Sequence, residues 1–119
     1  MVFIDEYELK IIVRVAIAFI VGVIIGFDRE RSGKAAGIRT QMLVSVGSAL
    51  MASISVFLGP KYGNLTADPA RLMAQIITGV GFLGAGVILK NGNNKVIGVT
   101  TAATIWTTAA LGIAIGAGF

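Results

Sequence analysis

The sequence predicts an all-α fold: a polytopic membrane bundle of four transmembrane helices. Three observations carry that expectation. Of the 119 residues 55% are hydrophobic and 13% charged, the mean hydropathy is +0.87, and the apolar residues gather into four long runs separated by short polar or Gly/Pro-containing stretches. So little polar surface cannot coat a water-soluble globule. About 20 apolar residues cross a hydrocarbon layer roughly 30 Å thick, so four crossings use most of the chain. A single transmembrane domain is expected over residues 1–119, with spans at about 11–27, 42–58, 72–89 and 96–118.

The first span runs from Ile11 to Phe27 and gives way to the charged stretch Asp28 to Arg39. Asp5, Glu6 and Glu8 precede it where a secretory signal would be basic. Gly33, Ala35 and Ala36 lie in a charged loop, not at a cleavage site, so the segment is expected to be retained. The second span, from about Met42 to Leu58, is expected to stop at Gly59-Pro60, because proline cannot continue the backbone ladder. The third opens with Asp68 as N-cap and Pro69 at the first helical position, then runs from Leu72 to Leu89. Asn91-Gly92-Asn93-Asn94 predicts a turn, and the fourth span extends from Val96 to Phe119. Arg29, Arg31, Lys34, Arg39, Lys90 and Lys95 fall on one side of such a bundle, and Lys10, Arg14, Lys61 and Arg71 on the other. Basic residues accumulate on the cytoplasmic side, so both termini are expected outside.

Composition also limits the chemistry. Without cysteine or histidine the chain lacks thiolate nucleophiles, disulfides, the commonest general base and the commonest transition-metal ligand. No metal site, cofactor or catalytic residue is expected. The ten Lys and Arg against six acids sit mostly beside spans, where they set topology and do not suggest nucleic-acid binding.

In lipid, helices associate through close packing and hydrogen bonds, so small residues at helical spacing mark contact faces. Arg14, Ala18, Gly22 and Gly26 recur every four residues along span one. Gln41, Ser45, Ser48, Ala52 and Ser55 form a polar stripe on span two that is expected to face inward. Gly79, Gly81, Gly84 and Gly86 on span three predict close backbone approach; a phosphate-binding glycine loop is the sharper alternative, but that motif follows a strand and opens a helix in water. On span four Thr100, Thr104 and Thr108 stack at four-residue intervals, with Thr101 and Thr107 beside them. Their hydroxyls either bond back to their own helix or line a polar crevice. Trp106, about 15 Å beyond Val96, is expected near mid-bilayer, its indole N–H needing a buried acceptor. A homo-oligomer is expected, with Ala18, Gly22 and Gly26 as one contact face.

Charged and polar residues at span ends are the candidates for ligand or partner binding. Arg14 can snorkel from its span end and act as an anchor. Asp28, Glu30, Arg39 and Thr40 cluster at the inner boundary. There Asp28 to Arg31 and Glu30 to Lys34 have helix-neighbour spacing, and Asp28 is expected to meet Arg39 across the helical hairpin. Asp68, Arg71 and Gln75 begin span three at the outer boundary, where Asp68 also serves as a cap. The acidic groups of the two boundaries lie a membrane apart, which disfavours a two-carboxylate catalytic site.

The run Gly26-Phe27-Asp28-Arg29-Glu30-Arg31, then Ala36-Gly37-Ile38-Arg39-Thr40-Gln41-Met42-Leu43-Val44, resembles the opening of the MgtC/SapB membrane family. So do Asp68-Pro69-Ala70-Arg71 with Ala74-Gln75, the glycine run Gly79 to Gly86, and Gly98-Val99-Thr100-Thr101-Ala102-Ala103-Thr104-Ile105-Trp106. Together they cover nearly all of residues 22 to 118 in family order. The resemblance implies a bacterial inner-membrane protein linked to growth under magnesium limitation and to virulence, with its N-terminus outside. It also implies a non-enzymatic regulator of other membrane proteins, the ATP synthase among them, more than a magnesium transporter. An ion or small-solute transporter is the alternative function. Longer members carry a fifth span and a cytoplasmic small-molecule-binding-like domain after the region matched here, and the role of that domain is not carried over.

Overall fold

The computed structural model describes residues 5–63, 68–90 and 96–119. Its elements in chain order are α1 (Glu6–Arg31), α2 (Ile38–Lys61), α3 (Ala70–Val87), the two-residue strands β1 (Leu89–Lys90) and β2 (Val96–Ile97), and α4 (Val99–Ala117). All four helices are long and apolar enough to cross a membrane, as an all-α bundle requires.

The helices overrun the apolar segments at several ends, for local reasons. α1 begins five residues before Ile11 because Asp5 and Glu8 form a capping box: Asp5 Oδ1 accepts from the Glu8 amide at 2.8 Å and Glu8 Oε2 from the Asp5 amide at 3.2 Å. Its 26 residues reach about 39 Å, so its charged ends project past the hydrocarbon. α2 continues through Pro60 to Lys61. The proline falls in the last turn, and Gly59 before it has no Cβ to clash with the ring.

The third span, in contrast, is shifted two residues toward the N-terminus of the expected 72–89, and the fourth is shorter than 96–118. β1 pairs antiparallel with β2, Leu89 opposite Ile97 and Lys90 opposite Val96. Ile88 turns extended at the end of α3. Gly98 stands at φ +91, where a Cβ would collide with the Val87 carbonyl. Only glycine fits there, and α4 starts after it. The Asn91 to Asn94 turn lies outside the described residues.

α2 is the central helix. On one side α1 lies against it at Gly22 and Gly26: a Cβ at Gly22 would stand 2.6 Å from Met42 Cα, and one at Gly26 would overlap Ile38. Ser45 Oγ of α2 donates to the Ala18 carbonyl at 2.7 Å. The Ala18, Gly22 and Gly26 face is therefore spent inside the chain, which corrects its assignment to a contact between copies. On the other side α4 lies parallel to α2, with Gly112 against Ser45 and Ser48 and Gly116 against Ala49. Ser53 Oγ donates to the Gly116 carbonyl at 2.9 Å. Gln41, Ser45, Ser48, Ala52 and Ser55 are all buried.

α3 closes the bundle through Ile76 and Val80, which cluster with Ala52, Ile105 and Ala109. Gly84 meets Ala102 Cβ at 3.5 Å from its would-be Cβ, whereas Gly79, Gly81 and Gly86 have nothing within 4 Å. The expected close approach along α3 is thus confined to Gly84. At the other three no described atom comes within contact distance of the would-be Cβ.

Candidate functional site

The two ends of the bundle are built differently. At the end carrying the α2–α3 connection, Lys61 pairs with Asp5 at 3.2 Å and Glu8 at 3.9 Å. Lys10 pairs with Glu6 at 2.9 Å. The Glu8 backbone amide on the Asp5 carboxylate, helped by Lys61, holds Asp5 below its ordinary value of 3.8. Arg14, read from sequence as an anchor, reaches across the bundle. Its Nη1 donates to the Gly116 carbonyl at 2.9 Å near the end of α4, and its guanidinium carbon lies 4.7 Å from the centre of the Phe57 ring. A cation there also meets the negative end of the α4 dipole.

At the opposite end the chain turns from α1 into α2 through residues 32–37, and three side chains fix the turn. Arg29 is 6% exposed. Its Nε and Nη2 grip the Ala35 carbonyl at 3.0 and 2.9 Å, and Nη2 also donates to Thr101 Oγ1 of α4 at 2.6 Å. Gln41, fully buried, donates through Nε2 to the next carbonyl, Ala36, at 3.2 Å. Glu30 Oε1 accepts from the Ile38 amide at 3.0 Å, satisfying one of the orphan donors at the start of α2 and facing its positive dipole end. Gly37 makes room for that carboxylate, since a Cβ there would overlap Glu30. Ala36 is held at φ 59, a left-handed conformation unfavourable for a residue with a Cβ. Such local strain persists only where surrounding bonds over-determine it, and the two gripped carbonyls supply them.

This geometry separates the candidates of that end. Glu30 is a structural cap. Asp28, Arg39 and Thr40 are exposed, and Asp28 and Arg39 form no ion pair, which corrects the pairing expected from sequence. Asp28 precedes Arg29 by one residue and so points about 100° away from the buried side. Among the described residues neither Asp28–Arg31 nor Glu30–Lys34 pairs; the three ion pairs all belong to the other end. Among the described residues the exposed charged side chains of the loop end that do not bond the turn, Asp28, Arg31, Lys34 and Arg39, thus stand on a turn whose backbone is fixed from within.

Asp68, Arg71 and Gln75 lie at the opposite end, all exposed. Asp68 Oδ1 accepts from the Ala70 amide at 2.9 Å. Helix α3 proper starts at Ala70, so Pro69 takes the cap position and not the first helical one. Ser55 Oγ of α2 bonds the Pro69 carbonyl and ties that connection down.

The threonines of α4 divide. Thr104 and Thr107 bond back to the Thr100 and Ala103 carbonyls at 2.9 Å each, while Thr101 receives Arg29. Thr100, Thr104 and Thr107 border a groove of about 330 Å³ with Ile25 of α1, so they face α1 and not the serines of α2. Trp106 is 50% exposed, pointing outward with no acceptor among the described residues, contrary to the buried acceptor expected. It follows the inward-facing Ile105, which turns its indole to the periphery.

Sequence reasoning passed over Arg29 and Thr108 as site residues and read Gln41 only as part of a stripe. The signal for Arg29 was its place seven residues after Gly22, on the same helix face. Gln41 Oε1 and Thr108 Oγ1 are both buried without a hydrogen-bond partner. The register that sets Gly112 on Ser45 and Gly116 on Ala49 places Thr108 beside Gln41, one turn nearer the loop. Among the described residues no three His, Cys, Asp or Glu side chains gather as metal ligands would.

The sequence profile of the MgtC family matches residues 15–119. The chain is 45% identical over 112 residues to Protein SapB of Bacillus subtilis (strain 168), covering 92% of this chain and 48% of that protein. It is 44% identical over 117 residues to the "Putative magnesium transporter YhiD" of Escherichia coli (strain K12), covering 92% and 52%. With Protein MgtC of Brucella abortus (strain 2308) it shares 48% identity over 101 residues, 85% of this chain and 40% of that one. The chain spans about half the length of the curated relatives it matches. No solved structure matches it significantly. With four membrane-spanning helices and a family match over most of its length, this chain is a multi-pass membrane protein that belongs to the MgtC family.

Proposed function

We propose that the chain is a non-enzymatic regulator that binds other membrane proteins through the loop end of its bundle, in the bacterial inner membrane with its N-terminus outside. The observation that carries this reading is the fixed turn. Arg29, Glu30 and Gln41 each bond the backbone of residues 35–38, while Asp28, Arg31, Lys34, Arg39 and Thr40 are exposed. A surface ordered before it binds loses less entropy on association. Charges displayed on it favour encounter with an oppositely patterned partner. The family resemblance suggests the class of partner, a membrane complex such as the ATP synthase, and the setting, growth under magnesium limitation and virulence. The buried polar residues suit a fixed scaffold: Ser45, Ser53 and Thr101 are taken up by hydrogen bonds between helices.

Growth of a host strain at limiting magnesium tests the reading. Arg39→Ala should abolish growth support while the protein still inserts, and Arg71→Ala, at the other end, should not. Equal growth with both variants would contradict it.

A transporter is the second reading, favoured by the threonine-bordered groove between α1 and α4 and by the name of the Escherichia coli relative, a putative magnesium transporter. Proteoliposome flux separates the two. Magnesium or proton movement that is lost in Thr104→Val would support transport and defeat the binding-only reading.

A further inference from the structure

α3 is the least covered helix, with only Ile76, Val80 and Gly84 buried. Beside that stripe Gln75, Gly79 and Leu83 form one wall of a groove whose other wall is Leu43, Gly47 and Met51 of α2. The groove holds about 310 Å³, and neither Gly47 nor Gly79 has an atom within 4 Å of where a Cβ would stand. Gln75 is exposed and enters no hydrogen bond among the described residues. It stands about 8 Å along α3 from Ala70, within the segment Ala70–Val87 that is apolar and long enough to cross a membrane; acyl chains there can fill the groove but cannot satisfy an amide.

A second copy of the chain answers both features. Copies inserted in one orientation are related by an axis along the membrane normal, so each residue on the shared face meets its counterpart at the same depth. A primary amide carries both donors and an acceptor, so two Gln75 side chains can bond each other reciprocally. Interhelical bonds of this kind hold membrane helices together. Gly79, one turn deeper on the same face, lets the two α3 backbones approach. The lipid-facing side of α1, with Ile12, Phe19, Ile20 and Ile24 exposed, offers bulk and no polar group to pair. We propose that the α2–α3 groove is the seat of a second copy, joined across a two-fold axis by the two Gln75 amides. The interface lies away from the loop end and does not depend on the regulatory reading.

The chain contains no cysteine, so a single introduced thiol reports proximity directly. Leu83→Cys and, as control, Ile20→Cys are placed at exposed positions and oxidised in native membranes with copper phenanthroline. Leu83→Cys should yield a disulfide-linked dimer and Ile20→Cys should not. Adding Gln75→Leu to Leu83→Cys should cut the yield about tenfold, the loss expected of one to two interhelical hydrogen bonds. All three sites are exposed, so the bundle itself is left intact. Equal cross-linking from Ile20→Cys, or a yield unchanged by Gln75→Leu, would overturn the proposal.

Discussion

Arg29 of α1 and Thr101 of α4 are joined by a 2.6 Å hydrogen bond in the interior of the loop end. The same guanidinium nitrogen holds the Ala35 carbonyl, so one side chain couples the first helix, the first loop and the last helix. Arg29→Gln should lower stability by about 3 kcal/mol, since hydrogen bonds from a charged donor contribute about 1.5–3 kcal/mol each and losses on one site do not add fully. Arg29→Lys should restore little, because an ammonium has no planar fork to share among the two acceptors. Reversible denaturation in mixed micelles measures both.

Gly26 lies so close to Ile38 that even a methyl group overlaps it. Gly26→Ala should therefore cost about 1–3 kcal/mol through overpacking, and Gly22→Leu should disrupt the α1–α2 hairpin altogether. Limited proteolysis of the purified variants should show cleavage in residues 32–37, and the parent should resist it there. An intact hairpin in Gly22→Leu would contradict the packing described.

Thr108 carries a buried hydroxyl without a partner. Thr108→Val keeps its shape and removes the unsatisfied group, so it should be neutral or stabilising by up to about 1 kcal/mol. Thr101→Val, which strands Arg29, should destabilise. If the two variants fall equally, a bound water or an alternative rotamer satisfies Thr108.

The four spans were legible in the sequence because apolar runs and their polar punctuation are local, and so was the inward polar stripe of α2. What could not be read was which partner each face meets. Glycine at 22 and 26 permits close approach, but nothing in the residues says whether the approaching backbone belongs to α2 or to another copy. Arg29 is hidden in the run Asp28-Arg29-Glu30-Arg31, four charges of which one is buried; its spacing from Gly22 marks the face, but its acceptor on α4 could not be read from the residues. The short β1–β2 pairing was missed because Leu89, Val96 and Ile97 are as apolar as the helices they adjoin. The distinction rests on Gly98 and its positive φ.

Asp28 and Arg39 are both exposed and form no ion pair, so their contributions should be independent. In a double-mutant cycle Asp28→Ala and Arg39→Ala should combine additively in stability to within about 0.5 kcal/mol. A larger coupling would mean the two side chains meet in the membrane.

Asp5 has its carboxyl pKa lowered, first by the Glu8 amide and then by Lys61. A lowered folded-state value means the stabilisation is present above the ordinary value of 3.8 and is lost as pH falls through the folded value below it. The difference in melting temperature between the parent and Asp5→Asn should shrink on acidification below 3.8 and stay level above it. Because the group is exposed to solvent, the effect should be small.

The central claim is that partners read the loop end, and site-specific photo-cross-linking in cells grown at limiting magnesium tests it most directly. A photoreactive residue at Lys34 should give an adduct with a different membrane protein, identified by mass spectrometry and lost in Arg39→Ala, while one at Asp68 should give none. Adducts from Asp68 but not Lys34, or only copies of the chain itself at Lys34, would contradict the account.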